Sequence, residues 1–376
     1  MAQIEFLSSF KHINQKEWND LTKSNPFLRL EFFQSLEASH SIGAGTGWHS
    51  FPIIATEQSK LVGAAPIFFK EHSYGEYVFD WSWAEAYQKY GENYYPKIVS
   101  CIPFTPATGP RIFGVDQSIQ QNILGHLEMF ASKNKMSSSH ILFCDDNERN
   151  IYEDSKWMSR EGVQFKWINK QYNHFSEFLS QLSHDKRKKI KQERKKIQDL
   201  KLKIKKIKGS EITEEDLDVF YSFYCNTYEE HHSRQYLTRA FFSLIRQDMP
   251  DNLLLIFGIE GDLPIAGSFF IYDDKKLYGR YWGSNSFYPG LHFELSYYQG
   301  QEFCIENKIA EFEGGAQGEH KLARGFEPFN TFSFHRIFDE KFEHAIKDFL
   351  RREKNGIDQY TNELAERVPY KTELKF

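Results

Sequence analysis

The apolar positions in FSEFLSQLSHDKRKKIKQERKKI change their spacing partway along. Phe175, Phe178, Leu179 and Leu182 recur at helical spacing. The stripe then thins to Ile190 and Ile197 while the other faces turn basic, the pattern of a helix lying partly outside a folded body. On either side of this segment the chain repeats one order of elements. After it, LKIKKIKG reads as a strand. TEEDLDVFYSFYCNTYEEH then reads as a helix, with Leu217, Phe220, Tyr221, Tyr224 and Tyr228 on one face. Thr213 is its expected N-cap, with acids filling the first turn. A second helix around TRAFFSLIRQ leads to three short strands, LLLIFGIE, PIAGSFFIY and KLYGRYWGS, joined by Glu-Gly-Asp and Asp-Asp-Lys-Lys turns. A helix, ELSYYQGQEFCIEN, and a strand, IAEFEG, close the series.

The first half offers the same series. It has QIEFLSS, helices around Trp18 to Leu21 and Phe32 to Leu36, strands FPIIATE and LVGAAPIFF, a helix IQQNILGHLEMFASK and a strand HILFCD. LVGAAPIFF (61–69) and LPIAGSFFI (263–271) align without a gap, with small residues after the turn and bulky ones beyond. The expected organisation is a first α/β unit over 1–172, a basic helical connector over 173–200, and a second unit with a helical tail over 201–376.

Charge changes this picture at one place. Residues 186–208 carry 13 Lys/Arg against two acids, out of 47 and 52 in the chain. That leaves 34 basic against 50 acidic residues elsewhere, a net of −16. A basic segment on an acidic body marks either a solvated helix or a contact for a polyanion, with Arg187, Lys188, Arg194 and Lys195 as its candidate residues. With 40% hydrophobic and 26% charged residues the composition is globular. The start, MAQIEFLSSFKHINQ, has no basic stretch leading into an apolar run, and LLLIFGI is too short to span a bilayer. Cys101, Cys144, Cys225 and Cys304 are scattered without pairing. A cytoplasmic protein with reduced thiols, no metal and no membrane span is expected.

The element order, strand–helix–helix–three antiparallel strands–helix–strand, resembles the GNAT (N-acetyltransferase) fold. Two such units with a basic helical segment near their junction resemble the Fem-type transferases. The chain is more closely similar to the FemAB-like, peptidoglycan biosynthesis/recognition family of predicted N-acyltransferases. The carrying stretches are YVFDWSWAEAYQKYGENYYPKIVSCIPFTPATGPRI (77–112), RKKIKQERKKI (187–197) and GLHFELSYYQGQEFCIENKIAEFEGGAQGEHKLARGF (290–326). The resemblance covers nearly the whole chain, including the tail FEHAIKDFLRREKNGIDQY.

It implies an α/β (α+β) fold of two tandem GNAT-like units, each a mixed, mostly antiparallel sheet flanked by helices. It also implies transfer of an acyl or aminoacyl group to an amine by direct attack. In a GNAT-like unit the sheet splays beside its fourth and fifth strands and the acyl donor enters there. Tyr281, Trp282, Gly283 and Gly290 would line that entry, and EFEGGAQGEHKLARGF (311–326) would follow the fifth strand into the site. Such transfer needs a base for the ammonium proton and donors for the oxyanion. Glu313, Glu294, His292 and His320 are the candidate bases, with Gln317 and Arg324 as orienting groups; Arg324 and Lys321 read as ligand or salt-bridge cations.

In the first half, Asp80, Trp83, Tyr87 and Lys97 stand in an aromatic-rich stretch that reads either as an acceptor cleft or as an interface between the units. Arg111, in the Pro-rich PFTPATGPR, suits anion binding. The phosphate-cradling Q/RxxGxG/A pattern of many acetyl-CoA enzymes is absent, and SFYPGLHFEL stands in its place. Acyl-CoA is the expected donor by analogy with most GNAT enzymes, with aminoacyl-tRNA as the alternative. The acceptor would be an amine-bearing small molecule, peptide or cell-wall precursor. A non-catalytic module binding a cell-wall precursor or nucleic acid is the reading from another class.

Overall fold

The computed structural model describes residues 2–22, 25–153, 155–315 and 318–371. Its strands are β1 (Gln3–Phe6), β2 (Trp48–Ser50), β3 (Ile53–Glu57), β4 (Lys60–Ala65), β5 (Ile67–Lys70), β6 (Lys97–Ser100), β7 (Phe113–Gly114) and β8 (Ser138–Cys144). They continue with β9 (Met158–Ile168), β10 (Lys203–Lys208), β11 (Leu253–Glu260), β12 (Leu263–Tyr272), β13 (Lys276–Ser284), β14 (Glu311–Glu313) and β15 (Glu327–Ile337). The helices are α1 (Gln15–Thr22), α2 (Leu30–Ala38), α3 (Trp81–Lys89), α4 (Gln117–Lys133), α5 (Arg149–Glu153) and α6 (Phe175–Gln181). After them come α7 (His184–Asp199), α8 (Glu214–Glu230), α9 (Arg239–Asp248), α10 (Leu291–Phe293), α11 (Gln299–Glu306) and α12 (Glu340–Glu366). Among the described residues no helix is long and apolar enough to cross a membrane.

By internal contacts the chain divides into Met1–Gly162 with Asn330–Gln359, and Val163–Phe329 with Tyr360–Phe376. This differs from the division expected at 172 and 200. Strand pairing is the reason for one difference: β15 pairs antiparallel with β8 from Phe332↔Cys144 to Ile337↔Ser138, which returns the late chain to the first unit. The basic connector is also no connector. Ile190 and Ile197 of α7 are buried in the core of the second unit with Phe178, Leu291 and Leu295.

In the second unit β11 is buried at its first six positions, because it lies between β10 and β12 in the sheet. β10 alternates, with Lys203, Lys205 and Lys208 exposed, and lysines on an outer strand oppose strand-to-strand association. Helix α8 starts as expected: the Thr213 side chain accepts from the Asp216 N–H while the Asp216 carboxylate accepts from the Thr213 N–H, a capping box.

The two gap-free aligned stretches fold differently. Residues 61–69 are cut at Pro66 into β4, which pairs with β3 and β7, and β5, which pairs with β2 and β6. A proline offers no N–H to a ladder, so mid-strand it breaks the pairing. Residues 263–271 stay within one strand, β12, where Pro264 falls at the second position.

Both units then use a pair of parallel strands joined through helix, since parallel neighbours need a long crossover. In the first unit β6 and β8 pair at Ile98↔Ser139, Val99↔His140 and Ser100↔Ile141, with α4 between them in sequence. In the second, β13 and β14 pair at Lys276↔Glu311, Leu277↔Phe312 and Tyr278↔Glu313. The crossover there is α10, a π-helical turn over Glu294–Tyr298, and α11.

Candidate active site

The second parallel pair comes apart. β14 stops at Glu313, whereas β13 runs on to Ser284 with no strand paired to it on that side among the described residues. At the parting point β13 carries a β-bulge: Phe269 faces Tyr281 and Phe270 faces Gly279, so Arg280 is the extra residue. Bulges re-aim the side chain they carry. A cavity of about 120 Å³ lies where the strands separate, lined among others by Arg280, Trp282, His292, Tyr297, Phe312 and Gly314.

Charge is concentrated behind one wall, from which Arg280 lines the cavity. The Glu313 carboxylate, 1% exposed, accepts from Arg280 Nη2 at 3.4 Å and Lys276 Nζ at 3.3 Å. Lys321, also buried, donates from Nζ to the Gly315 carbonyl at 3.1 Å. Burial, and then Arg280, bring its ammonium down to about 7. On the other wall the His292 ring sits edge-on to Trp282 and Tyr297. Burial, with His320 next, holds it down at about 4, so this imidazole is neutral at neutral pH. His320 Nε2 meets the Tyr297 hydroxyl at 3.0 Å, and burial followed by Arg324 brings it to about 4 as well. The site thus offers cationic and phenolic donors to a developing oxyanion and a neutral imidazole as proton acceptor. Among the described residues no group of three or more His, Cys, Asp or Glu is placed to hold a metal ion.

Other expected residues lie elsewhere. Glu294 is buried and engaged: Arg194 donates to it from Nε at 3.1 Å and Nη2 at 2.9 Å, and Gln299 from Nε2 at 2.8 Å. It is therefore no free base. By the same contacts Arg194 is no surface contact for a polyanion; its third bond goes to Glu302 at 2.6 Å. Lys188 and Lys195 are exposed and Arg187 is half-buried. Arg324 is held by Glu193 at 2.9 Å and lies over the Phe293 ring. Tyr281 borders the cavity, but its ring packs edge-on to Tyr224 and Phe242. Gly283 serves packing: a Cβ there would lie 1.9 Å from the Phe223 carbonyl oxygen of α8. Gly290 (φ +91°) precedes α10 in a left-handed conformation. Gln317 lies outside the described residues.

The first-unit candidates form a sealed cluster. Lys97 is fully buried and donates to Glu76 at 2.7 Å, Ser73 at 2.8 Å and Asp80. Tyr94 donates to Asp80 at 2.6 Å and touches His140 Nε2 at 3.2 Å, and His140 Nδ1 meets His335 Nδ1 at 2.7 Å. Burial pushes Glu76 up and Lys70 down, each to about 7. Against the upward push of burial, Lys97 brings Asp80 to about 2. Trp83 packs edge-on to His335, and Tyr87 stacks on Phe342 at 3.7 Å. Both rings belong to the core of the first unit. Arg111 is fully buried, and its guanidinium donates to the carbonyls of Ala107, Gly109, Pro110 and Leu142. It ties its own loop together and has no face left for an anion.

Sequence reasoning missed Arg280, Lys276 and Tyr297 in the second unit, and Lys70, Glu76, His140 and His335 in the first. A cation in the middle of the aromatic strand KLYGRYWGS was the available signal for Arg280. The first-unit residues are brought together only by strand pairing, and no local signal marks them.

A family model described as FemAB-like, peptidoglycan biosynthesis/recognition, matches residues 9–372. Among solved structures the chain is similar to FemX, at 12% identity and TM-score 0.55, covering 91% of this chain and 100% of that one. It is similar to the C-terminal domain of a putative lysylphosphatidylglycerol synthetase from Agrobacterium fabrum, at 9% identity and TM-score 0.53, covering 89% and 94%. A conserved protein of unknown function from Bacteroides thetaiotaomicron matches at 12% identity and TM-score 0.52, covering 90% and 100%. A search of curated proteins finds no match. At these identities the likenesses carry the fold, two tandem GNAT-like units.

Proposed function

The chain belongs to the FemAB-like family of peptidoglycan biosynthesis and recognition, and on that premise we propose that it is an N-acyltransferase acting in the second unit. The observation that carries this reading is the parting of β13 and β14 at the Arg280 bulge, which leaves a slot beside a cationic wall. The proposed donor is an acyl-CoA thioester, whose acyl end suits so small a cavity. An acceptor amine attacks the carbonyl carbon; the N–C bond forms, the C–S bond breaks, and the thiolate leaves with a proton. Arg280 and the Tyr297 hydroxyl donate to the oxyanion, and His292 takes the proton of the attacking nitrogen. Glu313 holds Arg280 and Lys276 in place and does not itself act as the base, because two cations already occupy its oxygens.

A second reading rests on a separate observation. Lys188 and Lys195 of α7 are exposed, and a row of lysines favours contact with a nucleic-acid backbone. An aminoacyl-tRNA would then present its ester at the same slot, and the acceptor would be the amine of a peptidoglycan precursor. Incubating the protein with panels of acyl-CoAs and charged tRNAs, with amine acceptors and mass-spectrometric detection, decides between the donors. Millimolar CoA should raise the melting temperature under the first reading, since a ligand that binds the native state stabilises it. Absence of product with either panel would leave only a binding module.

A further inference from the structure

Among its described residues the second unit exposes three large apolar side chains, Leu200 (45%), Leu263 (74%) and Phe287 (89%), and the fold brings all three to one end. Leu200 caps the C-terminus of α7, and the chain turns through Lys201 (φ +56°) into β10. Lys203 then pairs with Ile259 near the end of β11, and Glu260 pairs with Leu263 across the Gly261–Asp262 turn. The loop after β13 closes on the same place. The hydroxyl of Tyr288, next to Phe287 in sequence, donates to Glu260 at 2.9 Å, and a Cβ on Gly290 would lie 3.9 Å from Ile197 Cδ1 of α7. Leu202 and Tyr288 pack against the core beneath. An isolated exposed apolar residue is ordinary, whereas a gathering of them with polar neighbours marks a contact surface.

The charge along this surface is one-sided. Helix α7 exposes Lys188, Lys189, Lys191, Lys195 and Lys196, and none of these ammonium groups has an ion-pair or hydrogen-bond partner among the described residues. Lys201 and Lys203 are exposed beyond them. The acids exposed here are Asp185 and Asp199 of α7, Asp262 of the turn, and Glu260, which already accepts from Tyr288. Seven lysines thus stand against four acids. Any polyanion would match such a surplus, but the apolar residues narrow the choice. Leu200 and Leu263 neither stack on a base nor bond a phosphate, and gain only by leaving water for an apolar phase. Phe and Leu at the tip with Lys behind them is the arrangement of a surface lying in the headgroup boundary of a bilayer.

We propose that this end of the second unit docks on an anionic lipid surface, with Phe287 and Leu263 entering the boundary and Lys195, Lys196 and Lys201 on the lipid headgroups. The proposal is independent of the transferase reading and of the donor. It makes the protein a peripheral partner of the membrane without any spanning helix.

The test uses the full chain in sedimentation with two kinds of vesicle, phosphatidylcholine alone and phosphatidylcholine mixed equally with phosphatidylglycerol. Binding to the anionic vesicles should be at least about tenfold tighter than to the neutral ones, and should weaken as salt is raised. Leu263→Ser with Phe287→Ser should weaken binding about tenfold or more while the melting temperature stays in place, since both side chains are exposed. Lys195→Gln with Lys196→Gln and Lys201→Gln should remove most of the preference for the anionic vesicles. Equal binding to both vesicles, or anionic binding that survives the two serine changes, overturns the proposal. So does failure to bind either vesicle. In that case tRNA binding that needs the three lysines assigns the surface to a nucleic acid, and self-association abolished by the serine changes assigns it to a second copy of the chain.

Discussion

Both units bring a parallel strand pair together for three residues, and both place buried charge beside it, yet the two places end differently. In the first unit β6 stops at Ser100, and the loop after it turns back along β8. Gly109 N–H donates to the Phe143 carbonyl and Arg111 Nε to the Leu142 carbonyl. Lys97, Glu76, Asp80, Tyr94 and His140 are then enclosed and bonded mainly to one another. In the second unit β14 is the strand that stops, β13 runs on paired only with β12 among the described residues, and a cavity lies beside it. A repeated fold therefore does not repeat a site. The path of the chain beyond the last paired residue decides whether the opening is filled with its own peptide groups or left for a ligand.

The largest expected effect breaks the sealed cluster. Lys97→Met leaves the buried Asp80 without its cation and Glu76 with only the more distant Lys70, and should cost about 3–5 kcal/mol of stability, read by chemical denaturation. Turnover per folded molecule, measured well below the melting temperature, should stay at the wild-type level. A well-folded variant without turnover would make the cluster functional and end the contrast.

Next comes the open site. Glu313→Gln should keep the fold while turnover falls by roughly 10²–10³, because Arg280 loses the group that holds it toward the oxyanion. Unchanged turnover would remove the Glu313–Arg280 pair from the mechanism.

Acid should then separate the units. His140, His335 and His292 have folded-state values pushed below the ordinary histidine range, His140 to about 3 and His292 to about 4. A lowered folded value means that the unfolded chain binds the extra proton first. The stability these groups contribute is therefore fully present above about pH 6.5 and drains as pH falls towards 4. The expected loss is roughly 2–3 kcal/mol for each of these histidines by pH 4.5. Hydrogen exchange should show the first unit, with its hydrogen-bonded His140–His335 pair, opening earlier. Uniform opening of both units would argue against that pair as the acid-sensitive point.

The smallest effect is at the surface. Lys188→Gln with Lys195→Gln should change stability by no more than about 0.5 kcal/mol. Under the acyl-CoA reading it should leave turnover unchanged. Weaker tRNA binding with a flatter salt dependence would instead move the donor to aminoacyl-tRNA.

Local patterning determined a good deal. The helical spacing of Leu217, Phe220 and Tyr224 and the Thr213 cap reappear in α8, and the three-strand run reappears as β11, β12 and β13. The order of elements was enough to indicate the tandem units. These features depend on residues a few positions apart, where periodicity, turns and caps act. The fate of individual charges depends on groups far away in sequence. Glu294 reads as a base until Arg194, 100 residues earlier, closes on it. Lys97 and Arg111 read as binding cations until strand pairing and a folded loop enclose them. Arg280 is one cation among many until a bulge and the end of β14 place it against Glu313 in a cavity wall. The sequence determined which strands and helices form; only tertiary packing decided which charges are neutralised and which face an opening, because a charge's chemistry is set by its nearest partners and its distance from water.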